Sequence, residues 1–335
     1  MKSWTKCATV WSAGLLAALS MAVAADKEAP AGGLVLVDAK GKEQKLKTWE
    51  FTEGTRRLSW LVPVKDKEPE KKDGEDKPDD RRRRPPARPR AEGPEAMVFR
   101  DENSTDWQKG VLTLIPVERL RGIDYDNEKQ TATVKVAAGA KPENDVELLG
   151  ITRFRGTNKL TIEAEVDKGE LGVASVKYFG GIPTGIRAIR FPNPKAAPAA
   201  TGRPAQVTVN LDGKKKATEK VTDLQVLYRT GRGEKLSPIL LFKKTIKLDV
   251  AKLQKMVAVE SEGTEWQLTL KKGDEETLTL LDAGEIDGQK VELEGFLARV
   301  PAGYKLFPPS LVTAIQFDEV KSEDKPDKGD KPEKR

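Results

Sequence analysis

The chain has 335 residues, a formal net charge of +6, and 33% charged against 37% hydrophobic residues. That length fits about two domains, and so polar a composition means that part of the chain does not pack. Histidine is absent and Cys7 is the only cysteine, which excludes serine–histidine triads and the usual Cys/His zinc sites.

Residues 1–25 read as a secretory signal peptide of bacterial type. Lys2 and Lys6 open it, an apolar run follows, and the small residues of AVAA precede Asp26. The same run is nearly long enough for an uncleaved membrane anchor, but its small-residue end favours cleavage. Cys7 lies before the apolar core, which argues against a lipoprotein anchor. Cleavage takes the net charge from +6 to +4 and removes the only thiol. The expected mature protein is periplasmic or extracellular. It has no disulfide, no thiolate nucleophile and no transmembrane segment.

Short strands then follow in order. LVLVD (34–38) and KTWEF (47–51) come first. Residues 65–95 interrupt them with a charged run that holds no aromatic and no branched aliphatic residue. Such a run buries too little apolar surface to offset the entropy of ordering. TATVKV (131–136) and KLTIEAEV (159–166) complete a first β module over 26–191. A Pro- and Ala-rich linker spans 192–206. A second module spans 207–319 and contains VTVNLD, DLQVLY, EWQLTL, TLTLL and KVELEGF. A charged tail, 320–335, closes the chain. Apolar–polar alternation or branched residues mark most of these segments as strands, and no helical stripe appears after residue 25. The fold class is all-β with short helical turns.

The two modules share phrasing. GIPTGIRAIRF (181–191) resembles FPPSLVTAIQF (307–317), so Ala188, Ile189 and Phe191 meet Ala314, Ile315 and Phe317. IPVERLRGIDY (115–125) resembles LDVAKLQKMVA (248–258), and VDAKGKEQKLKTWEF (37–51) resembles NLDGKKKATEKVTDLQV (210–226). The offset between copies drops by roughly 40 residues where the charged run is inserted, as expected if a loop tip of the first copy carries it. The recurring grammar is a strand end, often a proline, one helical turn and a new strand. Proline suits the start of such a turn because its φ is preset and it need donate no hydrogen bond. This layout resembles the topology of small SH3-like or Sm-like barrels. That resemblance implies a fold for each copy and carries no activity with it.

Few residues invite a chemical role, and no cofactor is expected. Asp124, Asp126 and Glu128 alternate as calcium ligands do, but the glycine of a calcium loop is missing and Lys135 stands where its glutamate belongs. A polar hairpin turn is the simpler reading. Trp49, Trp60, Trp107 and Trp266 either fill the core or, if exposed, stack on sugars. With 53 acidic residues, a carboxylate pair for glycan hydrolysis always exists, and none stands out. The sequon at 103–105 matters only in a glycosylating host. RRRRPPARPR (81–90) concentrates Arg81, Arg82, Arg83, Arg84, Arg88 and Arg90, which suits a phosphate- or carboxylate-bearing polymer. The preceding residues 65–80 carry a net charge of −3, so the run also reads as a self-neutralised spacer. It contains no aromatic residue for base stacking, and no nucleic-acid module is present.

The expectation is an exported, non-catalytic structural or binding protein of the cell envelope or exterior. The alternatives are an anionic-polymer binder using the Arg-rich run and a carboxylate-based glycan hydrolase. Deleting residues 65–95 should leave the thermal unfolding midpoint almost unchanged, and calorimetry of the two proteins tests this.

Overall fold

The computed structural model describes residues 33–61, 93–101, 110–126, 128, 131–139, 142–152, 161–179, 185–198, 200–211, 215–231, 233–259 and 264–318. Residues 1–25, 81–90 and 320–335, the sequon and Trp107 lie outside the described residues. The described fold is all-β, with one-turn 3-10 helices only.

The first half contains β1 (Leu34–Asp38), β2 (Glu43–Leu46), β3 (Thr48–Glu53), β4 (Thr55–Arg57), β5 (Glu95–Asp101) and β6 (Leu112–Pro116). It continues with β7 (Leu120–Asp126), β8 (Thr131–Val136), β9 (Val146–Thr152), β10 (Thr161–Asp167), β11 (Val173–Phe179) and β12 (Ile186–Arg190). The second half contains β13 (Ala205–Leu211), β14 (Lys215–Thr230), β15 (Gly233–Ser237), β16 (Ile239–Phe242), β17 (Ile246–Asp249) and β18 (Leu253–Ala258). It ends with β19 (Glu265–Leu270), β20 (Glu275–Thr279), β21 (Ala283–Ile286), β22 (Gln289–Val300), β23 (Gly303–Phe307) and β24 (Val312–Phe317).

All pairings are antiparallel. In the first half the ladder runs β2–β1–β12–β7–β8–β9–β5, and β5 also pairs with β4 and β6. A separate sheet holds β3–β10–β11. In the second half the ladder runs β14–β13–β24–β18–β19–β20. The long β14 continues past β13 to pair with β15 and β22, and β22 pairs with β23. Strands β16 and β17 form a hairpin, tied to the rest by a bridge between Phe242 and Leu280. No sheet closes into a barrel among the described residues. Strand β2 ends at Leu46 and the chain passes into β3, which belongs to the other sheet, so the ladder around the first half is interrupted.

Alternation in the sequence sets the inward face. In β8, Val134 and Val136 are fully buried, while in β19 Trp266 and Leu268 are buried and Gln267 is exposed. Successive strand residues point to opposite faces, so each apolar member of TATVKV or EWQLTL lands in the core. The expected helical turns occur at Val117–Arg119, after Pro116, and at Val250–Lys252. The second is capped by Asp249, whose carboxylate accepts the Ala251 N–H at 2.8 Å. Pro308 and Leu311 close a hydrogen-bonded turn before β24. Residues 180–184, before β12, lie outside the described residues.

Two expected boundaries move. The charged run expected over 65–95 stops short of its last residue: Glu95 opens β5 and its carboxylate accepts from Thr55, while Leu58 N–H donates to the Pro94 carbonyl. Strand pairing with β4 takes these residues, so a deletion that reaches residue 95 cuts into β5 and lowers the unfolding midpoint. The linker was read to 206, yet β13 begins at Ala205, which is 1% exposed between Val221 and Phe317. The rest of the linker is anchored by hydrogen bonds: Lys195 N–H to the Glu118 carbonyl, and Arg203 to the carbonyls of Leu253 and Asp318.

Phe191 lies against Trp49 and Phe51, with ring centroids 5.9 and 6.2 Å away, and Phe317 lies under the Arg203 guanidinium at 4.8 Å. Both rings are buried. Phe191→Ala and Phe317→Ala should each cost about 3–5 kcal/mol, read from urea unfolding. A negligible loss at both would show that neither ring fills a core.

Candidate functional site

The described acids and bases converge most closely where the two halves meet. Strand β23 pairs with β6 through Tyr304–Leu114, Lys305–Thr113 and Leu306–Leu112. Beneath this ladder lies a small separate core. The first half supplies Leu58, Ala96, Val98 and Leu114, and the second supplies Leu227, Leu297 and Leu306. The approach is close enough to require glycine at 303, where a Cβ atom would sit 2.3 Å from the Leu114 carbonyl oxygen.

Arg56, on β4, reaches across this junction. Its Nη2 donates to Glu234 Oε1 on β15 and to Glu294 Oε1 on β22, the latter at 2.8 Å. All three side chains are only 15–17% exposed. Arg229 stands 4.0 Å from Glu294 Oε1, and the Arg56 guanidinium lies over the Trp60 ring at 5.6 Å. Glu294 Oε2 and Trp60 Nε1 are buried with no hydrogen-bond partner.

One guanidinium thus serves two carboxylates, and the balance differs on its two sides. Burial pulls the Arg56 pKa down, but attraction first to Glu294 and then to Glu234 outweighs it, so Arg56 stands above its ordinary value. Burial pushes the Glu234 carboxyl up, and Arg56 offsets only part of that, so Glu234 stands above the ordinary glutamate range. Charge sharing explains the difference: the cation gains from both partners, whereas Glu234 has a share of one cation and is repelled by Glu294.

A concave feature of about 620 Å³ lies between the β1–β2 hairpin and the end of β11. Leu36, Ile186, Tyr178 and Phe179 line it together with Asp38 and Lys177. Its charges are of both signs and none converges on a single point.

The expected chemical residues separate. Asp124 sits within β7, paired with Arg190 and 3.9 Å from Lys135, so cations already occupy its surroundings. Asp124, Tyr125 and Asp126 of DYDNEK form the end of β7 where it pairs with β8. No group of three or more potential metal ligands occurs among the described residues. Trp266 is fully buried against Phe296, Trp49 stacks edge-on with Phe51, and Trp60 is half-buried at the junction. Arg81, Arg82, Arg83, Arg84, Arg88 and Arg90 lie outside the described residues. The Arg56–Glu234–Glu294 group was not foreseen. Its members stand 178 and 238 positions apart in the chain, and no local spacing signals it. No protein-family model, curated protein or solved structure matches this chain.

Arg56→Leu strands two buried carboxylates without their cation and should cost about 3–5 kcal/mol, again by urea unfolding. Glu234 also sets a pH dependence. A carboxyl whose pKa is raised on folding contributes stability that is complete below its unfolded value and is lost as pH rises through its folded value. Glu234→Gln removes that loss. Between about pH 4 and neutrality, the unfolding free energy of E234Q relative to the parent should therefore rise. Parallel profiles would show that Glu234 does not carry the effect.

Proposed function

We propose that the chain is an exported, non-catalytic structural or binding protein of the cell envelope or exterior, built from two copies of one β module. The observation that carries the non-catalytic reading is the use made of its most converged ionisable groups. Glu234 and Glu294 share one arginine at the junction of the halves. That arginine holds both acids on one nitrogen, whereas a glycan hydrolase needs them apart as separate acid and nucleophile. Export rests on the basic start, apolar run and small-residue end of residues 1–25.

The order of strand pairing supports the two-copy reading. The run β2–β1–β12–β7–β8–β9 of the first half parallels β14–β13–β24–β18–β19–β20 of the second. The β10–β11 pair parallels β22–β23, and β5–β6 parallels β16–β17. The contact of β5 with β9 has its counterpart in the Phe242–Leu280 bridge. Residues 62–92 fall between β4 and β5, where the second half needs only two residues, 231–232, between β14 and β15. That is the place for an insert in one copy. The strand, single helical turn and strand at 112–126 and 246–258 favour an SH3- or Sm-like topology for each module, opened rather than closed.

The Arg-rich run supports a second reading, in which 81–90 holds an anionic polymer. Both readings meet one set of assays on the mature protein. Reducing-sugar release from a panel of envelope glycans should not exceed buffer. Turnover that Glu294→Gln abolishes in a folded protein would overturn the non-catalytic reading. Binding of polyphosphate that falls steeply with salt and vanishes on deleting 81–90 would establish the clasp, and equal or absent binding in both proteins would make the run a spacer.

A further inference from the structure

The junction between the halves is a strand-edge contact, and the chain contains the same two edges a second time. Inside the molecule, the outer edge of β6 receives β23. Under the two-copy reading, on which this inference rests, β6 corresponds to β17 and β23 to β11. Strand β11 pairs only with β10, and β17 only with β16, among the described residues. Among the described residues, the partner edge that β6 and β23 give each other has no counterpart on β17 or on β11.

The backbone groups on these two edges point outward at known positions. Antiparallel pairs alternate between residues that exchange hydrogen bonds and residues that do not. The Lys168 N–H bond to the Gly172 carbonyl sets the alternation of the β10–β11 hairpin. It turns the N–H and C=O groups of Val173, Ser175, Lys177 and Phe179 away from β10. The Val250 N–H bond to the Pro238 carbonyl does the same for β16–β17. It turns those of Lys247 and the N–H of Asp249 away from β16, while the Asp249 carbonyl is taken up by the helical turn that follows. Such rows of unpaired groups are templates for another strand.

The β11 edge is also apolar. Leu171 is 89% exposed, Val173 68% and Phe179 41%. They are half of the large hydrophobic residues exposed among the described residues, gathered on one strand and the turn before it. Each edge carries one central lysine, Lys177 and Lys247, which is slight protection for an otherwise flat strand.

We propose that β11 of one copy pairs antiparallel with β17 of a second copy of this chain, repeating between molecules the β6–β23 junction within one. The two surfaces differ, so the contact is heterologous, and each added copy presents a fresh β11 and a fresh β17. Such a contact builds a ring or an open filament rather than a two-fold dimer.

Two edge-blocking variants test this. Lys177→Pro and Lys247→Pro each remove an outward N–H and leave the inward ladder its bonds. Sedimentation velocity of the mature parent across a concentration series should show species larger than dimers. K177P alone and K247P alone should each be monomeric. Their equimolar mixture should stop at dimers, because one free β11 then meets one free β17. The double variant Leu171→Asp/Val173→Asp, altered only at exposed positions, should behave as K177P does and guards against loss through misfolding. A monomeric parent at every concentration overturns the proposal, as does self-assembly of K177P or of L171D/V173D to the parental extent. Neither result touches the non-catalytic reading, which only glycan turnover overturns. The two-copy reading fails separately, if Phe191→Ala and Phe317→Ala both cost nothing.

Discussion

Three residues of β23 lie beside three of β6, and through that short ladder the sheets of the two halves become one. A strand edge is a row of unpaired donors and acceptors, and leaving them dry costs about as much as losing the hydrogen bonds. Here the edges of two halves satisfy one another. The consequences spread outward from that contact. Glycine is needed at 303 so that the backbones can approach, and Leu58, Leu114, Leu227, Leu297 and Leu306 fill the space below. Arg56 reaches from one half to two acids of the other.

The electrostatics of the junction are those of a fastening. A buried cation between two buried anions is a weak source of net stability, because desolvation offsets most of the attraction, yet losing one member is costly. Such an arrangement fixes which surface meets which. It also leaves one acid poorly compensated, and the upward displacement of Glu234 is the mark of that. Ion pairs such as Arg190 with Asp124 and Lys195 with Glu118 lie nearer the surface. The chain, which has neither histidine nor a cysteine after residue 7, sets Glu234 and Glu294 on one arginine between its two halves.

Much of the fold was legible in the strands. LVLVD, TATVKV and EWQLTL are strands with the bounds their alternation marked. The helical turn at Val117–Arg119 follows Pro116, as the proline grammar expects, whereas the Asp249 cap of the turn at Val250–Lys252 came only with the structure. Other strands were silent. Glu95–Asp101 and Val173–Phe179 have no strong signature, since β5 is defined by partners on both edges and β11 by the single partner β10. The candidate site was not legible. Arg56 lies in an unremarkable TRR, and nothing near it in the chain resembles a partner.

The sequence by itself determined what is local: the period of two that makes the chain β, the residues that enter the core, the turns, and the chemistries that missing residue types exclude. Each depends on neighbours within a few positions, where side-chain direction follows from backbone geometry alone. Only the tertiary structure decided which edges are paired and which are left open, and which two of the 53 acidic residues share a buried arginine. Those depend on contacts between residues far apart in the chain. The register of a strand and the desolvation of a charge exist only once the partner strand is in place.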